Sequence, residues 1–442
     1  MRVFNQEGKS MSLLIRGGHL VDPAAKRDGK FDVLVQNGVV AKVVAWEQDN
    51  APSWQQDEAD MVIDADGKYV LPGFIDLHVH LREPGLEYKE TIATGSMAAA
   101  AGGFTSICPM PNTKPSTDSP EKIRAVLEKA KTDSKVHILP IGAISIGQEG
   151  KELADIAGMA AAGAVAVSED GKSVMNSALY AEGMKAAAQA GIPVFAHCED
   201  IDLVRGGVMN AGKRADELGL PGITNAVEDI ITARDIFLAR ETGVQLHLCH
   251  CSTKDSVKMI ALAKEAGLLV SGETGPHYYT MIDEEIPEDF GNYKMNPPLR
   301  GKEDKEALIQ ALQNNVLEAI ATDHAPHSKE EKEQSMLKAP FGIVGSETAY
   351  ALTVTELVRT GKISMTQLVE RMSTSPARIL GIPKGSLQEG MAADITIADT
   401  TTSYRIDPEK FYSKGKNTPF AGKEVFGQIY YTIVDGEIVF EQ

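Results

Sequence analysis

The stretch Gly73-Phe-Ile-Asp-Leu-His-Val-His-Leu-Arg-Glu-Pro-Gly85 decides how this chain is read. Its strand-like alternation sets Phe74, Asp76, His78 and His80 on one face and Ile75, Leu77, Val79 and Leu81 on the other. Two imidazoles spaced i, i+2 at a strand's end can both reach one metal ion. Pro84-Gly85 then turns the chain and leaves Arg82 in a loop beside the histidines. The segment reads as the first corner of a metal-dependent hydrolase site.

Outward from it, residues 73–385 alternate apolar strands with alanine-rich helices. Strands are expected at 73–80, 105–108, 136–140, 164–168, 194–197, 245–249, 268–272 and 318–322, and helices at 89–101, 120–131, 177–189 and 253–265. Repeated β–α units of this number predict an α/β fold, a (β/α)8 TIM-type barrel at 73–385. A doubly wound open sheet is the alternative, but no Gly-X-Gly-X-X-Gly turn follows the first strand.

Both chain ends look different. β-type runs at 13–16, 31–36, 39–44 and 61–64 are matched by runs at 393–398, 425–434 and 437–440. Asn37-Gly38 and Asp435-Gly436 are hairpin signals. Residues 12–72 and 386–442 are therefore expected to build one small β-sandwich domain. Residues 1–10 lack the apolar core of a signal peptide and are read as a flexible extension.

Composition narrows the function classes. The chain has 442 residues, 43% apolar and 24% charged, ordinary for a globular protein. A formal charge of −18 argues against nucleic acid or an acidic membrane as partner, and it requires local positive charge around any anionic substrate. No run of about 18 apolar residues occurs, so no membrane span is expected and the chain is placed in the cytoplasm. Cys108, Cys198, Cys249 and Cys251 make no disulfide framework, and buried thiols are preferred over Cys-X-Cys metal binding.

The ends of the expected strands carry His78, His80, Asp170, His197, His250 and Asp323. Four imidazoles and two carboxylates suit one or two divalent ions of the Zn²⁺ type, with Asp170 able to bridge two. Each alone has an ordinary alternative: a hydrogen-bonded structural histidine, or an aspartate capping a turn. Their joint placement outweighs those alternatives. By parity His247 and His324 should point away from the ligands, and His277 is undecided.

The motifs Asp-Leu-His-Val-His-Leu-Arg-Glu-Pro-Gly (76–85), Met-Pro-Asn-Thr (110–113), Ser-Glu-Asp-Gly (168–171), His-Cys-Glu (197–199), Cys-His-Cys-Ser-Thr-Lys (249–254), Met-Asn-Pro-Pro-Leu-Arg (295–300), Thr-Asp-His-Ala-Pro-His (322–327) and Ala-Pro-Phe-Gly-Ile-Val-Gly (339–345) carry a resemblance. Over nearly its whole length the chain resembles the class I dihydroorotases of the amidohydrolase superfamily. The resemblance implies that His78, His80 and Asp323 hold one zinc ion, that His197 and His250 hold a second, and that Asp170 bridges them. Dihydropyrimidinases and allantoinases use a carbamylated lysine there, so Asp170 points away from them. It also implies that Arg82, Asn112 and His327, with His80, hold the carboxylate side of dihydroorotate or N-carbamoyl-aspartate, while Asn296 and the backbone of Phe341 and Gly342 contact the ring. The implied activity is zinc-dependent, reversible cyclisation of N-carbamoyl-L-aspartate in pyrimidine biosynthesis, with Asp323 as general acid and base. A homodimer, or association with aspartate carbamoyltransferase, is implied as well. The segment Glu273-Thr-Gly-Pro-His277 departs from the family's Glu-Val-Thr-Pro-His-His pattern at Gly275 and Tyr278. The rival readings are another cyclic amidase, or a barrel serving as a scaffold without catalysis.

Overall fold

A computed structural model describes residues 12–47, 51–54 and 59–442; the extension expected at 1–10 lies outside them. The strands of the middle of the chain are parallel throughout. One six-stranded sheet runs Ala319–Ile320, Val270–Thr274, Leu246–Leu248, Val194–Ala196, Ala166–Ser168 and Ile141–Ala143. A second joins Phe74–Val79, Phe104–Pro109 and His137–Ile138. His137–Ile138 and Ile141–Ala143 are separated only by Leu139 and Pro140, where the proline has no N–H to give a ladder. At the other edge a parallel bridge joins Val79 to His324, and the His80 N–H donates to the His324 carbonyl at 2.8 Å. The chain is thus an α/β protein, with helices such as Ile92–Ala101, Ser177–Ala190 and Lys254–Glu265 between strands. Their starts are set locally: side chains of Thr91, Asn176 and Thr253 accept from the first free backbone N–H groups.

An eight-stranded sheet gathers both chain ends, in the order Glu437–Glu441, Ile429–Val434, Ile395–Ala398, Tyr69–Pro72, Leu13–Asp22, Arg27–Gln36 and Val39–Ala45, with Met61–Asp64 beside Leu13–Asp22. Ile15, Leu20, Val33, Val35, Val70, Ile395 and Ile433 form its buried core. Both hairpin dipeptides take positive φ at each position, 53° and 80° at Asn37-Gly38 and 48° and 77° at Asp435-Gly436, the geometry a two-residue hairpin loop needs. The run expected as one strand at 425–434 is two, Glu424–Phe426 and Ile429–Val434. Gly427, at φ 97°, takes a conformation that breaks the extended backbone between them. Tyr69–Pro72 is a strand that the reading of the sequence did not separate. Among the described residues, no helix is long and apolar enough to cross a membrane.

The strand Phe74–Val79 corrects the alternation expected of it. All six residues are buried, as befits a parallel strand covered on both faces. Ile75 and Leu77 pack with Cys108, Phe195 and Cys249, but Val79 and Leu81 pack with Phe74 in a separate cluster. Strict alternation would group Val79 and Leu81 with Ile75 and Leu77. The register shifts between Asp76 and Val79, where three steps on this strand face two on Phe104–Pro109. An extra residue of this kind switches the side-chain face and re-aims the residues beyond it. The histidines are therefore presented by a bulged strand end.

Candidate metal and substrate site

The ends of five parallel strands bring the ligand candidates together. His78 Nε2 lies 3.1 Å from Asp170 Oδ1 and 3.5 Å from Asp323 Oδ1. His80 Nε2 lies 3.1 Å from Asp323 Oδ1 and 3.6 Å from Asp170 Oδ2. Asp170 Oδ1 is also 3.6 Å from His197 Nδ1 and 3.7 Å from His250 Nε2, which are 2.9 Å from each other. All six residues are buried, and three of the loop positions involved, Arg82, His250 and Asp323, hold positive φ of 61°, 33° and 48°. Left-handed backbone at non-glycine residues is costly, and three of the nine such residues among those described lie here.

Charge and hydrogen bonding match this convergence. Burial pushes the Asp170 carboxyl up, but His78, His250 and His80 around it outweigh burial and hold it well below the usual carboxylate range. Burial likewise pushes the Asp323 carboxyl up, but its hydrogen bond to His80 and the charges of His78, His80 and His250 outweigh burial and hold it below the usual carboxylate range. Within the cluster, Nδ1 and Nε2 of His78 and Nδ1 of His250 are buried without a well-directed hydrogen bond, although carboxylate oxygens of Glu273 and Asp170 lie 3.4 and 3.1 Å from the two His78 nitrogens. Buried polar atoms are rarely left so. The groups His78, His80, Asp323 and His78, Asp170, His250 each place donor atoms within 4.8 Å of one another. Orphaned ring nitrogens next to two ionised carboxylates are a donor set that fits a divalent cation. The set His78, Cys249 and Glu273 converges as well, but burial drives the Cys249 thiol up to about 12, so it stays protonated.

Supporting groups that the reading of the sequence passed over fix the imidazoles. Glu199 accepts from His197 Nε2 at 2.9 Å and from Asn296 Nδ2 at 2.9 Å, which leaves the lone pair of His197 Nδ1 facing Asp170. Glu273, brought down to about 2 by His247 and His78 against its burial, sits 3.4 Å from His78 Nδ1 and 3.0 Å from His247 Nε2. His247 thus stands behind the ligands, bonded also to Ser271. His324 likewise turns to Glu90 and Ser413. His277, undecided in sequence, is buried against Tyr278 with Nε2 unpartnered, and burial pushes it down to about 4.

A cavity of about 130 Å³ opens on the ligands. His80, Arg82, Asn112, Asn296, Phe341 and Gly342 line it together with Asp170, His197, His250 and Asp323. Asn112 accepts from His80 Nδ1 at 2.9 Å and donates to Asp170 Oδ2 at 3.1 Å, so it belongs to the ligand network as well as to the wall. His327 lies behind the wall, its Nε2 2.8 Å from the Phe341 carbonyl and 3.3 Å from Arg82 Nη2. Lys332 closes this end. Fully buried, it donates to the carbonyls of Lys294, Pro340 and Gly342 at 3.0, 2.9 and 2.7 Å, and burial and neighbouring cations bring it down to about 7. The arrangement joins a metal-binding cluster to a small polar cavity with a guanidinium at one end.

Comparison with known proteins agrees with this chemistry. The family described as dihydro-orotase-like matches residues 67–256, and the amidohydrolase family matches residues 342–440. The chain is 46% identical to a dihydroorotase of Acetivibrio thermocellus over 428 residues, 97% of this chain and 98% of that protein. It is 49% identical to a dihydroorotase of Staphylococcus epidermidis over 381 residues, 86% of this chain and 90% of that one. Among solved structures it resembles the L-hydantoinase (dihydropyrimidinase) of Arthrobacter aurescens, with TM-score 0.86 and 27% identity over 98% of this chain and 96% of that chain. The dihydropyrimidinase of Brevibacillus agri matches with TM-score 0.83 and 27% identity, over 98% and 95%. The chain belongs to the dihydroorotase family of amidohydrolases, hydrolases that act on cyclic amides.

Proposed function

We propose that this chain interconverts N-carbamoyl-L-aspartate and dihydroorotate at a zinc centre held by His78, His80, Asp170, His197, His250 and Asp323. The observation that carries the reading is the convergence of those six donors beside a cavity that all but His78 line and that also holds the buried Arg82 guanidinium. Bound there, a divalent ion would supply Lewis acidity, polarising the amide carbonyl and lowering the pKa of a water towards about 7. Asp323, at the cavity wall and ionised, takes the proton of the attacking water and returns it to the leaving ring nitrogen. In cyclisation the same proton path runs backwards. Arg82 and the donors around it hold the substrate carboxylate, which supplies the local positive charge that an acidic protein needs. Asn296 and the Phe341-Gly342 backbone position the ring from the opposite wall. Asp170, whose oxygens lie 3.1–3.7 Å from all four imidazoles, is the residue that would hold both ions if two were bound.

The fold supports this reading. We take residues 73–385 as one closed (β/α)8 barrel, supported by the Val79–His324 bridge and by the short Leu139-Pro140 step between neighbouring segments. Residues 12–72 and 386–442 would then be the β-sandwich domain. From the family we also carry a cytoplasmic location and a homodimer or association with aspartate carbamoyltransferase. Light scattering of the purified chain, alone and mixed with that enzyme, decides between the two assemblies.

The similar solved structures are hydantoinases, so fold alone does not choose the substrate. Metal analysis paired with assays of carbamoyl aspartate, dihydrouracil and allantoin does. Turnover confined to carbamoyl aspartate and dihydroorotate supports the proposal; preference for dihydrouracil or allantoin refutes it. Arg82→Met is expected to raise KM for carbamoyl aspartate by about 10–100-fold, the loss of one charge-assisted hydrogen bond of roughly 1.5–3 kcal/mol. Unchanged KM would remove Arg82 from the carboxylate pocket.

A further inference from the structure

Lys89 lies beside the cavity but has no place in the chemistry described so far. Its Nζ is 3.0 Å from His327 Nδ1 and 2.9 Å from Glu331 Oε1, which also accepts from the Tyr88 hydroxyl at 3.0 Å. The opposite ring nitrogen, His327 Nε2, is 2.8 Å from the Phe341 carbonyl. A carbonyl oxygen only accepts, so Nε2 must carry the hydrogen. Nδ1 then has a lone pair, and the lysine donates to it. Arg82 Nη2, 3.3 Å from Nε2, is another donor, so it adds charge there but no bond; its own Nε donates to the Pro326 carbonyl.

We propose that Lys89 is a positioning residue for the substrate carboxylate: by donating to Nδ1 of His327 it fixes the Nε2–H tautomer, which ties the Phe341 carbonyl to the Arg82 end of the cavity. The proposal rests on the reading of Arg82 and Phe341-Gly342 as substrate contacts. The charged groups around His327 are Arg82, Lys89, Lys332 and Glu331, whose Oε2 is 3.6 Å from Nδ1, and the Asn417 side chain accepts from the His327 backbone N–H. Burial and the three cations hold the imidazole neutral, far below its usual range.

Removing Lys89 changes this balance. Without its donor, neutral His327 can place its proton on Nδ1 towards Glu331. The lone pair of Nε2 then faces the Phe341 carbonyl, and the tie is lost. Burial and the charges of Arg82 and Lys332 remain and still hold the ring neutral, so it is the tautomer that changes.

The test uses the metal-replete enzyme, with KM and kcat for carbamoyl aspartate measured beside the nitrogen NMR shifts of the His327 ring, which report its tautomer. KM of Lys89→Met, as a ratio to wild type, is expected to be roughly tenfold with kcat within about threefold, and the ring proton is expected to move from Nε2 to Nδ1. Lys89→Gln, too short to reach Nδ1, gives the same readout where methionine misfolds. Lys89→Arg should restore both KM and the Nε2–H tautomer. A rise in KM with the Nε2–H tautomer retained would be a bare charge effect and would overturn the proposal. So would an unchanged KM in Lys89→Met while Arg82→Met raises it. If Arg82→Met also leaves KM unchanged, the pocket reading fails and the role of Lys89 falls with it.

Discussion

Asp323→Asn is expected to lower turnover of carbamoyl aspartate by at least about 10³-fold while the protein remains folded. The substitution is isosteric, and the amide oxygen can still face His78 and His80, which lie 3.5 and 3.1 Å from the native Oδ1. What the amide cannot do is accept a proton. The native carboxyl is kept ionised against its burial, so it is ready as a base in the free enzyme. The φ of 48° at this residue is matched by no special demand of asparagine, which tolerates the left-handed region as well as aspartate does. Folding should therefore survive: circular dichroism checks the fold, and turnover expressed per bound metal separates lost proton transfer from lost metal. A variant that turns over at near-normal rate would end the assignment of Asp323 as general acid and base.

The parts of this site that could be read from sequence share one property: each is announced by its own neighbours along the chain. His78 and His80 sit two apart after an apolar run, and Asp170, His197, His250 and Asp323 each follow a short apolar run bounded by turn residues. The hairpins at Asn37-Gly38 and Asp435-Gly436 are legible for the same reason, because the turn chemistry is confined to two residues. The supporting groups are different. Lys89 meets His327 across 238 positions, and Glu273 meets His247 and His78 from another strand end. In sequence each is a charged residue with a solvated surface as its ordinary expectation. Only the folded chain reveals that Lys89 and Glu273 are buried and paired. The bulge after Asp76 was equally hidden, since no glycine or proline marks it, and strict alternation consequently assigned Val79 and Leu81 to the wrong face.

Asp170→Asn should have the second large effect, lowering turnover on the order of 10³-fold and leaving the purified protein short of bound metal. Asp170 is the carboxylate that faces all four imidazoles, with Oδ1 3.1 Å from His78, 3.6 Å from His197 and 3.7 Å from His250, and Oδ2 3.6 Å from His80. An amide removes the negative charge and turns one of the two acceptor atoms into a donor. That donor would point into imidazole lone pairs, or would displace the bond that Asn112 Nδ2 now gives to Oδ2 at 3.1 Å. Either arrangement takes away the anion shared by both halves of the cluster, the Asp323 side and the His197–His250 side. The carboxylate left beside the latter pair is Glu199, which is already committed to His197 Nε2 and Asn296. The expected loss is therefore uneven. Metal held by His197 and His250 should be lost first as a chelator is titrated in, while metal held by His78, His80 and Asp323 persists to higher chelator concentration. Metal content followed alongside activity during that titration reads both events. Equal retention of metal on the two sides, or turnover close to wild type, would show that Asp170 does not bridge them.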